Sequence, residues 1–118
     1  MLRWKEERQG ETALLIEGAR RIGKSTIVEE FAKNEYSSYI LVDFSKTANE
    51  INDLFNDLSD LNYIFLRLQL NYNVSLKERK SLIIFDEVQN NPKARQAIKH
   101  LVKDHRYDYI ETGSLISI

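Results

Sequence analysis

The chain has 118 residues, a length that predicts one domain with a single hydrophobic core. Its formal net charge of −1 and pI of about 6.1 offer no global basic field for nucleic acid, so any such contact would have to be local. It has no cysteine for a disulfide or thiolate metal site and no apolar stretch near the roughly 20 residues of a membrane span, so we expect a cytoplasmic protein without a membrane partner.

The first predicted elements are a strand, a glycine-containing loop and a helix. Residues 12–16 form a short apolar run that is typical of a buried parallel strand, and Gly10 is expected in a turn before it. Residues 18–25 read GARRIGKS, a complete G-x-x-x-x-G-K-S pattern, the Walker A loop. The apolar residues that follow lie at helical spacing: Ile27, Val28, Phe31 and Ala32.

This loop pattern predicts a phosphate-binding site. The two glycines allow a tight backbone turn whose amides point inward, Lys24 can reach the outer phosphates, and the hydroxyl of Ser25 suits a magnesium ion. The helix N-terminus adds partial positive charge. The alternative is an ordinary strand-to-helix turn, and Arg20 and Arg21 either contact phosphate or are solvated. The candidate nucleotide-binding residues are Gly18, Ala19, Arg20, Arg21, Ile22, Gly23, Lys24, Ser25 and Thr26.

A second strand and two helices are predicted in the middle of the chain. Residues 39–44 read as the strand, and Ser45 or Thr47 is expected to cap the next helix, with Glu50 completing a capping box after Thr47. The apolar stripe of that helix is Ala48, Ile51, Leu54, Phe55 and Leu58. A further helix is expected from about residue 60 to 72, before a polar loop.

The last third of the chain predicts a strand, a helix and a strand. Residues 82–85 are continuously apolar, as a central parallel strand should be. Pro92 suits the first turn of the helix, and residues 109–112 form a strand that we expect Gly113 to stop. Helices alternating with strands predict an α/β fold with a parallel sheet and helices on its faces.

Asp86 and Glu87 follow the third predicted strand and form the second candidate constellation. An acidic residue at such a strand tip helps to hold magnesium in nucleotide hydrolases with this loop, and a neighbouring carboxylate can polarise the attacking water. Parallel sheets bind ligands beyond the carboxyl ends of their strands, which predicts that the loop, Asp86, Glu87 and Thr112 share one edge. The alternative is an ordinary acidic strand end. Gln89 either orients the water or caps the next helix or is solvated, and we favour capping or solvation.

Three segments, EGARRIGKST, FDEVQNNPKA and ETGSLISI, resemble the AAA-type P-loop ATPases of bacteria and archaea that carry an extra C-terminal domain of unknown function. The resemblance runs along nearly the whole chain and implies a three-layer P-loop NTPase-like fold with sheet order 5-1-4-3-2. It implies Asp86 as the magnesium acid, Glu87 as the catalytic base and Thr112 or Ser114 as the polar sensor. Trp4 resembles a tryptophan that precedes the loop in that family, and contact with adenine and ordinary packing both remain open for it.

Members of that family are several hundred residues long, so residues 1–118 would be a partial AAA-type domain with sheet order 1-4-3-2. It would lack the fifth strand, the lid and the arginine finger. We expect Mg-ATP binding, with Lys24 and Glu87 serving hydrolysis that drives conformational change in the intact protein and is weak or absent in this piece. The alternatives are a nucleotide-binding switch module that does not hydrolyse and a small-molecule kinase. Self-association is expected of the full-length protein, and of this piece through its exposed first strand.

Overall fold

A computed structural model describes residues 1–8, 10–18 and 24–114, with Lys24 and Ser25 described by their backbone alone. The candidate residues Ala19, Arg20, Arg21, Ile22 and Gly23 lie outside the described residues. In chain order, the elements are α1 (Leu2–Arg8), β1 (Leu14–Gly18), α2 (Lys24–Glu35), β2 (Ser38–Asp43), α3 (Asn49–Asp53), α4 (Leu61–Tyr72), β3 (Ser81–Asp86), α5 (Pro92–Asp104) and β4 (Asp108–Ser114). Two short 3-10 turns follow α3 and β3, at Leu54–Asn56 and Val88–Asn90.

The described strands form one parallel sheet in the order β1-β4-β3-β2. The predicted α/β class and this strand order are confirmed, and the arrangement is that of a P-loop NTPase-like fold. All six residues of β3 are buried between its two neighbours, which explains why this strand reads as a continuous apolar run in the sequence. β1 lies at one end of the sheet that the described residues form.

Alternating side chains of β3 divide the core between the two faces of the sheet. Ile83 and Phe85 belong to the larger cluster, under α3, α4 and α5, where the rings of Phe44, Phe55 and Phe85 meet edge to face at centroid distances of 5.2–5.8 Å. Leu82 and Ile84 belong to the smaller cluster, under α2. Helices therefore cover both faces, which gives the three layers that the sequence predicts.

Two helix starts are fixed by side-chain caps. Asp60 accepts a hydrogen bond from the backbone N–H of Tyr63 before α4, and Asn91 accepts one from Ala94 before α5, where Pro92 occupies the first turn as predicted. The predicted capping of α3 by Ser45 or Thr47 is wrong, because Ala48 is the N-cap residue and makes no side-chain cap. The hydroxyl of Ser45 instead donates to Asp43, and that of Thr47 to the side chain of Asn52.

Gly113 does not stop β4, contrary to the sequence-based expectation. Gly113 pairs with Glu17 of β1, and the strand continues to Ser114, which pairs with Gly18. A glycine signal for a strand end is overridden here because β1 supplies a neighbour along this whole stretch. Ser114 is therefore held in the sheet beside the start of the phosphate loop.

A buried polar cluster joins the amino ends of the strands, opposite the acidic pair. Asp108, the first residue of β4, is 3% exposed and accepts a 2.5 Å hydrogen bond from the hydroxyl of Tyr36 and an ion-paired hydrogen bond from Arg79. The side chain of Arg79 also donates to the carbonyl of His105. Desolvation and the neighbouring carboxylate raise the pKa of Tyr36 well above its usual range. The cluster connects the residue that follows α2, the first residue of β4 and the segment before β3.

The helix α1 was not predicted from the sequence. Its residue Trp4 packs against the smaller core cluster and donates its indole N–H to the carbonyl of Thr12 at 3.0 Å. Gly10 has a φ of 85° in the turn that leads to β1, as expected of a glycine at this position. Within the described ranges, no helix combines the length and the apolar character needed to cross a membrane.

Candidate functional site

The carboxyl ends of the strands bring the predicted site residues to one edge of the sheet. Gly18 ends β1 and lies in register with Ser114 of β4, while Asp43 of β2 lies in register with Asp86 of β3. The phosphate-binding pattern requires a strand before it and a helix after it, and both are present, because β1 ends at Gly18 and α2 starts at Lys24. Thr26, in the first turn of α2, is exposed.

Thr112 links the two acidic residues to β4. Its hydroxyl donates a 2.5 Å hydrogen bond to Oδ1 of Asp86 and accepts a 3.0 Å hydrogen bond from the backbone N–H of Glu87. Thr112 is fully buried and Asp86 is 7% exposed, so this arrangement fixes the carboxylate at the tip of β3 with little access for bulk water. A buried carboxylate that accepts a hydrogen bond in this way is rigidly aimed.

The backbone turns sharply at Glu87. This residue has φ 54° and ψ 47°, the left-handed conformation that few residues other than glycine adopt, and it starts the 3-10 turn Val88–Asn90. Strained backbone of this kind is concentrated at functional sites, where the surrounding contacts stabilise it. Here the hydrogen bond from the Glu87 N–H to Thr112 provides one such contact.

Of the side chains that the structure describes, two donate hydrogen bonds to the carboxylate of Glu87. The hydroxyl of Ser114 lies 2.7 Å from Oε1 and 2.8 Å from Oε2, and the amide nitrogen of Gln89 donates to Oε2 at 2.8 Å. Glu87 is 8% exposed. The two residues that were alternatives for the sensor position therefore make different contacts: Thr112 holds Asp86, and Ser114 holds Glu87.

Gln89 does not have the role that we favour from sequence. The cap of α5 is Asn91, and the side chain of Gln89 is partly buried against Glu87, so the expectation of capping or solvation is wrong. Its carbonyl oxygen Oε1 is buried and has no hydrogen-bond partner among the described residues. A Cβ atom on Gly113 would come within 3.3 Å of this oxygen, so the glycine makes room for the Gln89 amide. No pattern in the sequence signals this contact, because it joins a turn after β3 to the end of β4.

The donor set at this edge fits a hard divalent cation bound together with phosphates. Asp86 offers a buried carboxylate, and Ser25, the other predicted ligand, lies in the first turn of α2. Among the residues that the structure describes, no group of three or more His, Cys, Asp or Glu side chains could enclose a metal. Mg²⁺ is usually held by one or two protein oxygens plus substrate phosphates rather than by a closed protein cage. Asp43, in register with Asp86, instead accepts hydrogen bonds from the N–H and hydroxyl of Ser45.

A small cavity lies beside the acidic pair, on the α5 face of the sheet. It measures about 220 Å³, and its polar lining includes Glu17, Gln89, Arg95 and Ser114. Close by on β4, Glu111 approaches Arg95 at 3.7 Å. Burial raises the pKa of Glu111 above its usual value, and the guanidinium of Arg95 offsets only part of that effect.

Comparison with protein families identifies a match over most of the chain. The family model described as "AAA domain" matches residues 10–118, from the turn before β1 to the last residue of the sequence. No curated protein and no solved structure matches this chain. The matched range includes the phosphate-binding pattern, the acidic pair and both polar residues at the end of β4.

Proposed function

Because the chain belongs to the AAA domain family, we propose that it binds Mg-ATP at the carboxyl edge of its sheet and that the intact protein hydrolyses it. Family membership indicates a nucleotide-binding, P-loop ATPase-like function, and the proposal adds the nucleotide, the metal and the reaction. The observation that supports it best is the pair Asp86 and Glu87. Both carboxylates are held by residues of β4, at the edge where β1 runs into the phosphate-binding pattern.

We assign the binding roles from the positions of the residues. The backbone amides of residues 18–26 would cradle the phosphates, and Lys24 would neutralise charge on the outer ones. Ser25 and Asp86 would hold the metal, and Thr112 would keep Asp86 in place. Bound Mg²⁺ would supply countercharge to the phosphate oxygens.

Glu87 is the proposed general base. Phosphoryl transfer needs mainly positioning and electrostatic stabilisation, so the protein contributes by orienting a water molecule and accepting its proton. This role is supported by Ser114, which donates a hydrogen bond to the Glu87 carboxylate and pairs with Gly18, the first residue of the phosphate-binding pattern. ATP rather than GTP is proposed because the sequence has no N-K-x-D segment for reading guanine.

Nucleotide binding and phosphate release by the full chain test the proposal. Lys24→Ala should abolish binding, and Glu87→Gln should retain binding while losing release. Lys33→Ala and Glu30→Gln are matched controls, because these substitutions make the same changes in charge at exposed positions of α2. Binding without release in the parent would support the alternative of a switch module that does not hydrolyse. Phosphate appearing on an added small molecule would support a kinase. If the parent chain does not bind Mg-ATP, the proposed site is refuted.

The resemblance also implies an extra C-terminal domain, and we further expect self-association of the full-length protein. Both stay predictions. Sedimentation or light scattering on the chain would test the second, since a clean monomer at high concentration would contradict association through the edge of β1.

A further inference from the structure

We propose that Gln89 is a positioning residue for hydrolysis: its amide holds the Glu87 carboxylate beside the start of the phosphate-binding loop. This inference rests on the proposed function and extends it to a residue outside the two sequence motifs. It begins from the 2.8 Å hydrogen bond between Nε2 of Gln89 and Oε2 of Glu87.

The backbone conformation of Glu87 does not by itself fix the direction of its side chain. Glutamate has three side-chain torsions, and a left-handed backbone conformation leaves the direction of the carboxylate to its contacts. Ser114 can rotate its hydroxyl freely about a single bond and lies 2.7 and 2.8 Å from the two oxygens, so it binds the carboxylate without selecting one oxygen. The planar amide of Gln89 donates to Oε2, which selects one orientation of the group.

The position in which these hydrogen bonds hold the Glu87 carboxylate suits a general base. Glu87 is fixed to Ser114, Ser114 pairs with Gly18, and Gly18 is the first residue of the phosphate-binding pattern. The contacts therefore hold the carboxylate at the edge of the sheet where β1 ends at Gly18. A base that is displaced by about 1 Å can lose two orders of magnitude in rate, so a residue that fixes this distance matters for turnover.

The surroundings of Gln89 fit a positioning role better than a packing role. Its Oε1 is buried without a hydrogen-bond partner among the described residues, which is unfavourable for an amide that serves only to fill space. An apolar side chain would fill the same volume without that cost. Gly113 leaves the room in which this oxygen lies, since a Cβ there would approach it to 3.3 Å. The donor contact to Glu87 is the interaction that an apolar replacement could not make.

The test compares Gln89→Met and Gln89→Glu with the parent chain. Both variants keep the approximate size of the side chain and remove the amide donor. We expect kcat to fall about 10- to 100-fold, with the Kd for Mg-ATP unchanged within about twofold, because the contact is to the base and not to the nucleotide. Gln96→Glu is the matched control for charge and shape, because Gln96 is exposed on α5, and it should retain the parent kcat.

A spectroscopic measurement without nucleotide gives an independent readout. The chain has four glutamines, so their side-chain amide signals can be assigned by substitution in a ¹⁵N spectrum. Glu87→Asp, which withdraws the carboxylate by one methylene, should shift the Gln89 amide signal and leave that of Gln96 in place. An unmoved Gln89 signal would overturn the contact itself.

The kinetic outcomes separate the two proposals. If the parent does not bind Mg-ATP, the proposed function fails. If it binds and hydrolyses while the Gln89 variants keep the parent kcat, the positioning role alone is overturned. A raised kcat in the variants would also overturn it, since Gln89 would then restrain the base. Binding without any hydrolysis, by residues 1–118 and by the intact protein alike, would refute the role as well, because no rate would exist for Gln89 to support.

Discussion

Replacing Thr112 with valine should destabilise the fold by about 2.5–4 kcal/mol. Valine has nearly the shape of threonine, so the change removes the hydroxyl from a fully buried position without opening a cavity. Two hydrogen bonds are lost together: the one that Thr112 donates to Asp86 and the one that it accepts from the N–H of Glu87.

The magnitude follows from the chemistry of these two contacts. A hydrogen bond to a charged group contributes about 1.5–3 kcal/mol, and a buried N–H without a partner costs about 1–3 kcal/mol. The lower part of the combined range applies, because Asp86 and Glu87 retain 7% and 8% exposure and water can replace some of what is lost. The loss is a large fraction of the stability of a domain of this size, roughly 6–18 kcal/mol.

Urea unfolding, followed by circular dichroism, measures this difference in free energy. Thr112→Ser retains the hydroxyl and loses only a methyl group, and it should recover most of the stability. Thr26→Val changes the same atoms at an exposed position and serves as the surface control. A loss below about 1 kcal/mol in Thr112→Val, or equal losses in the valine and serine variants, would show that the hydroxyl does not link the two strands.

Three further predictions concern the buried cluster, a helix cap and a raised pKa. Tyr36→Phe removes the hydrogen bond to Asp108 and should cost about 1–2 kcal/mol in urea unfolding, and an unchanged midpoint would contradict that contact. Asn91→Ala removes the cap on the Ala94 N–H and should cost about 1–2 kcal/mol, whereas a loss within error would show that the N–H finds another acceptor. Glu111→Gln should stabilise the chain at pH 7. Burial raises the pKa of this carboxyl in the folded state, so ionisation above the usual value of 4.5 destabilises the fold, and the gain should vanish in acid, where the parent carboxyl is protonated in both states. Unfolding curves at several pH values would refute this if the gain were constant.

Local patterns in the sequence were sufficient to predict the fold class. The continuous apolar run of β3 indicates a strand that is buried on both faces. The apolar stripe of α5, with its 3.6-residue period, indicates a helix that is buried on one face. Both patterns can be recognised without knowing the tertiary structure. Alternation of the two kinds of element then predicts a parallel sheet. The family resemblance added the order of its strands. Parallel sheets bind ligands beyond the carboxyl ends of their strands, and this rule predicted that Asp86, Glu87 and Thr112 lie at one edge.

Local signals failed where a neighbour outside the segment decided the outcome. Gly113 reads as a strand end, yet it remains in β4 because β1 pairs with it. The sequence predicts that Thr47 caps α3, yet its hydroxyl donates a hydrogen bond to the side chain of Asn52, and α3 starts without a side-chain cap. The helix α1 has no strong periodic signal, and it is held by the packing of Trp4.

The sequence by itself determined that this chain is an α/β protein with a phosphate-binding pattern and an acidic pair, because those properties depend on residues close together in the chain. Only the tertiary structure decided which side chains hold that pair. The hydrogen bonds that Thr112 and Ser114 make with Asp86 and Glu87 join the ends of β3 and β4 and link residues 25 to 27 positions apart, while Gln89 reaches Glu87 from the turn that follows β3. Such contacts form when strands pair side by side, and no spacing along the chain records them.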